Sequence, residues 1–552
     1  MSIRTNKMKA VAVLLKELMT ARSKFHERGK DESFDRKLEK LRLDLSKIKD
    51  VFVRVKKNEE ELLDILAEVY GHLHKLDREK LNEDMDGICE RIRDSAHNLL
   101  PKDAFNMLSK MEDHSSEELV QTHQKKSWTA EDFNLLGLPS RFCMFSLLIF
   151  PENAVIRKRN AIHLWIEEGL ITNTEKKTAE EKGEDVIHDL LKFKVIVRYG
   201  STKDPIVDKF QILPHVRSQL KLYLDGDSEY IRPSRLLLDR KKVTVGGVDT
   251  KNVTLRNIYN IGASYLNFGP QWVSDQWKNL EVLQLGRWQD SPLHHIEVGS
   301  EEFLRELRTM KLLKYLSLRG ISRIFELPSS IVELENLEIL DLKACHNLET
   351  LPDDISSMKS LTHLIMSECS LLEVMPKGIE KLTNLQVLKG FLITEKTPCR
   401  MSDLVNLRKL RRLSINIGSE AMIKDGEFSS LRNFLTLKHL KISWSVSDPR
   451  YSKIGVILPI SLTKLHLECF PGKSFEECFT LPDLIPCELN ITGGKLETMS
   501  PQALLWNVEI LRLKYLKQLN VDINNLKTFF PWLTYIEIKQ ISNYSYIEHV
   551  YL

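Results

Sequence analysis

LEILDLKACHNLETLPDDI, residues 337–355, and LTHLIMSECSLLEVMPKGI, residues 361–379, are two copies of one unit set 24 residues apart. Each opens with L-x-x-L-x-L. The second and third apolar residues of that motif are two apart, so they face the same side of a short strand, and the x residues between them face the other side. Behind the motif a second apolar ladder runs at intervals of three: Leu342, Cys345, Leu348 and Leu351 before Pro352, then Met366, Cys369, Leu372 and Met375 before Pro376. A partial copy precedes them, with Leu318, Ile321 and Leu327-Pro328. Cys345 and Cys369 occupy rungs that need a small apolar group, so both read as core rather than as metal ligands.

The opening motif returns along much of the chain. LEVLQL starts at Leu280, LKYLSL at Leu313, LQVLKG at Leu385, LRRLSI at Leu410, LKHLKI at Leu437 and LTKLHL at Leu462. PCELNI (from Pro486), VEILRL (from Val508) and LTYIEI (from Leu533) close the series. First-position spacings after Leu313 are 24, 24, 24, 25, 27, 25, 24, 22 and 25. This period is the signature of a leucine-rich repeat solenoid, in which each unit buries its apolar face only against its neighbours. LKQLNV at Leu516 falls out of step and reads as a convex-side helix. Solenoids present a concave surface. The residues expected on it are Tyr315, Arg319, His363, Arg411, Arg412, Lys438, Lys441, Trp444, Lys464 and His466. They are either a solvated mixed-charge face or a partner surface with aromatic and arginine anchors.

The 552 residues allow several domains. The net charge of +3 is too near balance to point to nucleic acid or an anionic membrane surface. The 8 cysteines lack metal-ligand spacing and suit a reducing compartment, which makes a cytoplasmic protein the expectation. The longest apolar run, Phe142 to Phe150, is too short to span a bilayer. Neither H-E-x-x-H nor G-x-S-x-G occurs, so an enzyme is not expected, and the pair His294-His295 reads as solvated. No metal or cofactor is expected.

Upstream of the repeats, residues 1–112 show apolar steps of three and four, as in Leu38, Leu41, Leu45 and Ile48. They imply a helical bundle of coiled-coil type, either structural or a module that pairs with itself or a partner. A polar linker occupies 113–127. Residues 128–222 read as helices with a small hairpin, a winged-helix domain. Its presumed recognition helix, AIHLWIEEGLI from Ala161, is apolar and acidic, whereas a helix that reads DNA needs Arg, Lys, Asn or Gln on its exposed face. Residues 223–279 form a connector with the first irregular repeats, and 280–552 the solenoid.

Three stretches, LPSRFCMFSLLIFPENAVI, IHLWIEEGLI and EDVIHDLL, resemble in order the winged-helix (ARC2-like) part of plant NB-ARC disease-resistance proteins. The LPSSI and LPDDI pieces of the repeats and the N-terminal helices resemble that family too. The resemblance implies a coiled-coil immune receptor of the NLR class that recognises a host or pathogen protein through its repeats. It also implies a nucleotide domain with G-x-x-x-x-G-K-[ST], whose backbone N–H groups and lysine hold phosphates. That string is absent, and a 15-residue linker stands where a domain of roughly 50 residues or more is due. The family's Met-His-Asp nucleotide sensor corresponds here to Leu213, Pro214 and His215. GLP at Gly137–Pro139 and EDVIH at Glu184–His188 mimic other family motifs but stand in the wrong context, and EEELLD at Glu59–Asp64 only weakly matches the expected bundle motif. The reading is a defence protein without its own nucleotide switch, either free in the cytoplasm or peripheral to the plasma membrane. The alternatives are an incomplete gene model of an ATP/ADP-switched receptor and a non-immune repeat scaffold or adaptor.

Overall fold

In the computed structural model the described residues are chiefly 135–200, 203–226, 235–244, 255–270, 277–288, 296–445, 447–480, 487–499, 507–541 and 544–550, with scattered positions nearer the N-terminus. Those scattered positions include helical Leu14, Leu18, Leu38, Leu41 and Leu45, all buried, as an apolar helix face requires. Most of the expected bundle, the linker 113–127, His294-His295 and the EEELLD stretch lie outside the described residues.

The winged helix is built from α1 (Leu138–Ser146), β1 (Ile156–Arg157), α2 (Lys158–Glu167), α3 (Ala179–Lys192), β2 (Ile196–Arg198), β3 (Lys209–Ile212) and α4 (Pro214–Gly226). β3 pairs antiparallel with both β1 and β2. Trp165 is fully buried and its indole N–H donates to the Cys143 carbonyl and to Ser146 Oγ, each at 2.8 Å, tying α2 to α1. Thr178 caps α3: its Oγ1 accepts from the Glu181 N–H, while the Glu181 carboxylate accepts from the Thr178 N–H at 2.8 Å. α2 and α3 cross at Gly183, where a Cβ would lie 2.7 Å from the Ile162 side chain. Leu213 is half-buried, Pro214 opens α4, where a missing N–H costs nothing, and His215 is exposed.

The repeats build one sheet of 14 strands. In chain order they are β4 (Arg235–Leu238), β5 (Asn257–Asn260), β6 (Val282–Gln284), β7 (Tyr315–Ser317), β8 (Ile339–Asp341), β9 (His363–Ile365) and β10 (Val387–Ile393). β11 (Arg412–Ile417), β12 (His439–Trp444), β13 (Lys464–Phe470), β14 (Glu488–Gly494), β15 (Ile510–Lys514), β16 (Tyr535–Ile541) and β17 (Tyr544–Val550) follow. All neighbours pair parallel except β16 and β17, an antiparallel pair at the C-terminal end. The sheet thus begins two strands before Leu280. Register places Leu316, Leu340, Leu364, Leu388, Leu413, Leu440, Leu465, Leu489 and Leu511 in one row, all buried. The second ladder closes the interior behind them. Cys345 and Cys369 donate their thiol hydrogens to the Leu318 and Leu342 carbonyls, and burial first of all pushes the Cys345 thiol up to about 12, so it is an inert core group.

From β10 onward most strands lengthen to six or seven residues. Gly390 makes this possible in β10: with φ of 83° it forms a bulge, and a Cβ there would sit 2.6 Å from the Met366 carbonyl carbon. The longer strands correct one expectation. Trp444 was expected on the concave face, but it shares parity with Leu440 and Ile442 on a six-residue strand and is fully buried in the core against Phe470. LKQLNV also differs from expectation. Leu516, Leu519 and Val521 are buried rungs in an irregular segment, and the helix starts only at Ile523. Among the described residues no helix is long and apolar enough to cross a membrane.

Candidate functional site

The concave face of the sheet holds the winged helix. Its first apolar support comes from the early repeats, where Tyr259, Val282, Trp288, Tyr315 and Ile339 pack into the same cluster as Trp165, Leu164 and Phe150. The Phe150 and Trp288 rings lie 5.1 Å apart. Burial there recruits polar partners, because an unpaired buried charge is costly. Glu168 is paired with Arg235 and accepts from Tyr259 Oη at 3.2 Å. Burial raises the Glu167 carboxyl well above the usual range, although the Tyr315 hydroxyl donates to it. Asn160 accepts from Arg319 at 3.4 Å.

Further along the sheet the seam becomes ionic. Register sets His363, Val387, Arg412, His439, Lys464 and Glu488 side by side across β9 to β14. Ile365, Lys389, Ser414, Lys441, His466, Asn490 and Arg512 form the next concave row across β9 to β15. The acidic first turn of α3 lies over them. Glu180 Oε1 meets His363 Nε2 at 3.3 Å, and its Oε2 meets Arg412 at 3.2 Å. Burial alone raises the Glu180 carboxyl, but His363 and Arg412 together outweigh burial and hold it well below the usual range. Glu181 pairs with Arg411 at 3.2 Å in a more exposed setting. At the far end Asp204, in the β2–β3 connection, reaches Arg512 at 2.8 Å, and Arg512 also meets Glu488 and Glu537. The winged helix therefore spans the bowl from β4 to β15.

Of the expected concave residues, Tyr315, Arg319, His363, Arg411 and Arg412 lie in this seam. Lys438 is exposed, Lys441 pairs with Glu468 at 3.1 Å, and Lys464 pairs with Glu488 at 2.7 Å. His466 approaches Thr492 at 3.3 Å, and burial, then Lys441, lowers it to about 3. Sequence reasoning did not single out Glu180, Asp204, Lys389 or Arg512. The signal for Arg512 was present, a cation between the apolar residues Leu511 and Leu513 of a repeat strand.

His163, Glu180 and His363 also bring three potential metal-ligand atoms within 4.8 Å of one another. Zinc bonds of about 2.0–2.1 Å place tetrahedral ligands roughly 3.3 Å apart, the separation of Glu180 Oε1 and His363 Nε2, so the charge around the set decides. Arg412 holds the only carboxylate of the set, and Arg159 and Lys389 press on His163. A dication would enter a cluster already in positive excess, so the donor set fits a metal poorly.

Comparison with known proteins follows this architecture. A leucine-rich repeat region matches residues 255–546, more than half of the chain, and a disease resistance protein winged helix domain matches 149–213. The chain belongs to the plant leucine-rich repeat disease-resistance proteins. It is 28% identical over 411 residues to "Disease resistance RPP13-like protein 4" of Arabidopsis thaliana, covering 72% of this chain and 48% of the relative. It is also 28% identical over 221 residues to "Disease resistance protein PIK6-NP" of Oryza sativa subsp. japonica, covering 37% of this chain and 20% of the relative. The chain thus spans about half the length or less of these relatives. This disease-resistance chain carries no identified nucleotide-binding domain, and no catalytic constellation is found among its described residues.

Proposed function

We propose that the protein acts in plant defence by recognising a host or pathogen protein through its repeats, with no nucleotide switch of its own. The observation that supports this reading most is the ionic seam. The concave surface that repeat proteins offer to partners is here engaged by the protein's own α3, through Glu180 and Glu181 on His363, Arg411 and Arg412. A partner that takes the central repeats displaces those acids, so recognition and release of the winged helix are one event. The released winged helix and the N-terminal helices, paired with themselves or with a second receptor, then carry the signal. The test compares wild type with Glu180→Lys/Glu181→Lys and with Arg411→Glu/Arg412→Glu. Protein capture and leaf cell death are scored after expression in plant tissue. Capture and cell death should both rise when α3 is repelled; reversing the repeat face also repels α3 but spoils the surface a partner takes, so capture should fall while cell death rises, and indifference to both pairs of changes refutes the reading. Near-stoichiometric ADP in the purified protein would refute the absence of a nucleotide switch.

One observation favours a second reading, an incomplete gene model of an ATP/ADP-switched receptor: the matched stretches cover only 48% and 20% of the two relatives' own lengths. A transcript with additional coding sequence between codons 112 and 128 would establish it.

A further inference from the structure

Each repeat sets one residue on the side rim of the solenoid, two places before its opening leucine. In the repeats of β7 to β11 that place holds Lys311, Glu335, Lys359, Thr383 and Arg408, all exposed, as a solvated edge requires. From β12 the chemistry changes. Leu435 and Ile460 stand there 76% and 71% exposed, and Trp532, one place later before β16, is 65% exposed. Beside them runs a second exposed row, the residue that precedes each strand: Lys438, Thr463, Cys487, Glu509 and Thr534. Backbone hydrogen bonds stack this row, with the N–H of Thr463 donating to Lys438, that of Glu509 to Cys487 and that of Thr534 to Glu509. Its members are therefore about 4.8 Å apart from rung to rung. The row carries a cation at β12, an anion at β15 and two uncharged residues between them. A single exposed apolar side chain needs no explanation, but three along one rim mark a contact surface.

We propose that this rim is an interface between two copies of the chain, related by a two-fold axis that passes between β13 and β14. The charge pattern selects a second copy as the occupant. A two-fold axis running from the concave to the convex side reverses the order of the strands and keeps both rows in line, so β12 faces the partner's β15 and β13 faces the partner's β14. Lys438 then meets the partner's Glu509, and the symmetry makes that pair twice. The apolar groups of one rim cover those of the other. One rung further out β11 faces the partner's β16, which brings Arg408 to the partner's Trp532, a guanidinium against an indole face. Moving the axis half a rung in either direction sets Lys438 against Thr534 or Cys487 instead, and the opposite charges no longer meet. The contact uses the rim alone. Both bowls therefore open to the same side, each with its own winged helix, and a ligand with two like epitopes meets two recognition surfaces at once.

The experiment follows the full chain by sedimentation velocity across a concentration series, with the thermal midpoint as the control for folding. The wild type should pass from monomer to dimer. Ile460→Glu and Lys438→Glu should each weaken the dimer about tenfold or more, with the midpoint of the monomer unchanged because both side chains are exposed. Lys438→Glu combined with Glu509→Lys restores opposite charges across the axis and should recover most of the affinity, which indiscriminate apolar association would not do. Cys487 is the exposed one of the 8 cysteines. It lies one rung from the partner's Cys487, so a short bismaleimide should join two copies, and Cys487→Ser should abolish the product. A monomer at every concentration overturns the proposal, as does a dimer indifferent to Lys438→Glu, a double reversal without recovery, or cross-linking that survives Cys487→Ser. Binding to phosphatidylcholine vesicles that Trp532→Glu abolishes, without self-association, overturns it in favour of a lipid surface.

Discussion

Glu180→Ala removes the carboxylate that His363 approaches at 3.3 Å and Arg412 at 3.2 Å. Glu180 and Arg412 are sheltered, at 17% and 20% side-chain exposure, whereas Glu181 and Arg411 stand at 53% and 39%. A sheltered hydrogen bond to a charged group is worth about 1.5–3 kcal/mol, and an exposed ion pair less than about 1 kcal/mol. At about 1.4 kcal/mol per tenfold, Glu180→Ala should shift the opening equilibrium of the seam about 10- to 150-fold, and Glu181→Ala less than about fivefold. The assay is hydrogen exchange resolved by peptide. Amides of α3 and of β9 to β11 should lose protection by those factors, while β16 at the far end keeps its own, because opening is local and each repeat leans on its neighbours. Glu180→Arg combined with Arg412→Glu exchanges the charges and should restore most of the protection. Equal effects from the two alanine variants, or a loss spread evenly over the whole sheet, would refute the account of the seam.

Burial first of all lowers His439 and His466 to about 3, below an ordinary 6.5. Their folded values are depressed, so the stability they contribute is present above about pH 6.5 and is lost as pH falls from there toward 3. At pH 5.5 the loss is about 1.4 kcal/mol per histidine. The thermal midpoint should fall between pH 7.5 and 5.5, and His439→Gln/His466→Gln should flatten that slope. Leu364→Ala, in the middle of the leucine row, should cost about 2–5 kcal/mol in chemical denaturation. Gly183→Val forces a Cβ to within 2.7 Å of Ile162 and should cost about 1–3 kcal/mol, read as a lower midpoint with the repeats still folded.

The repeats were legible because a solenoid is written in one dimension: each rung recurs at a fixed step, and Leu316, Leu340 and Leu364 declare their row by spacing alone. Trp444 was placed on the wrong side because L-x-x-L-x-L describes a three-residue strand, while β12 runs six. Past the motif only strict alternation from Ile442 tells inside from outside. The seam was not legible. Its pairs are separated by 183 residues for Glu180 and His363 and by 308 for Asp204 and Arg512, and no period connects them. EEKGEDV falls in a stretch the sequence reads as helical, but nothing local says what its acids face. The concave arginines read as either a solvated face or a partner surface, and the chain itself supplies one occupant.

Repeat arrays ordinarily gain and lose units with little penalty, since each unit needs only its neighbours. This one is measured against a rigid gauge. The winged helix grips the sheet at Arg235 in β4, at His363 in β9, at Arg412 in β11 and at Arg512 in β15. One additional unit between His363 and Arg512 would carry the far grip about 4.8 Å further along the sheet and part Arg512 from Asp204. The count of repeats between those points is therefore set by the width of the domain in the bowl, and variation in length is free only beyond β15.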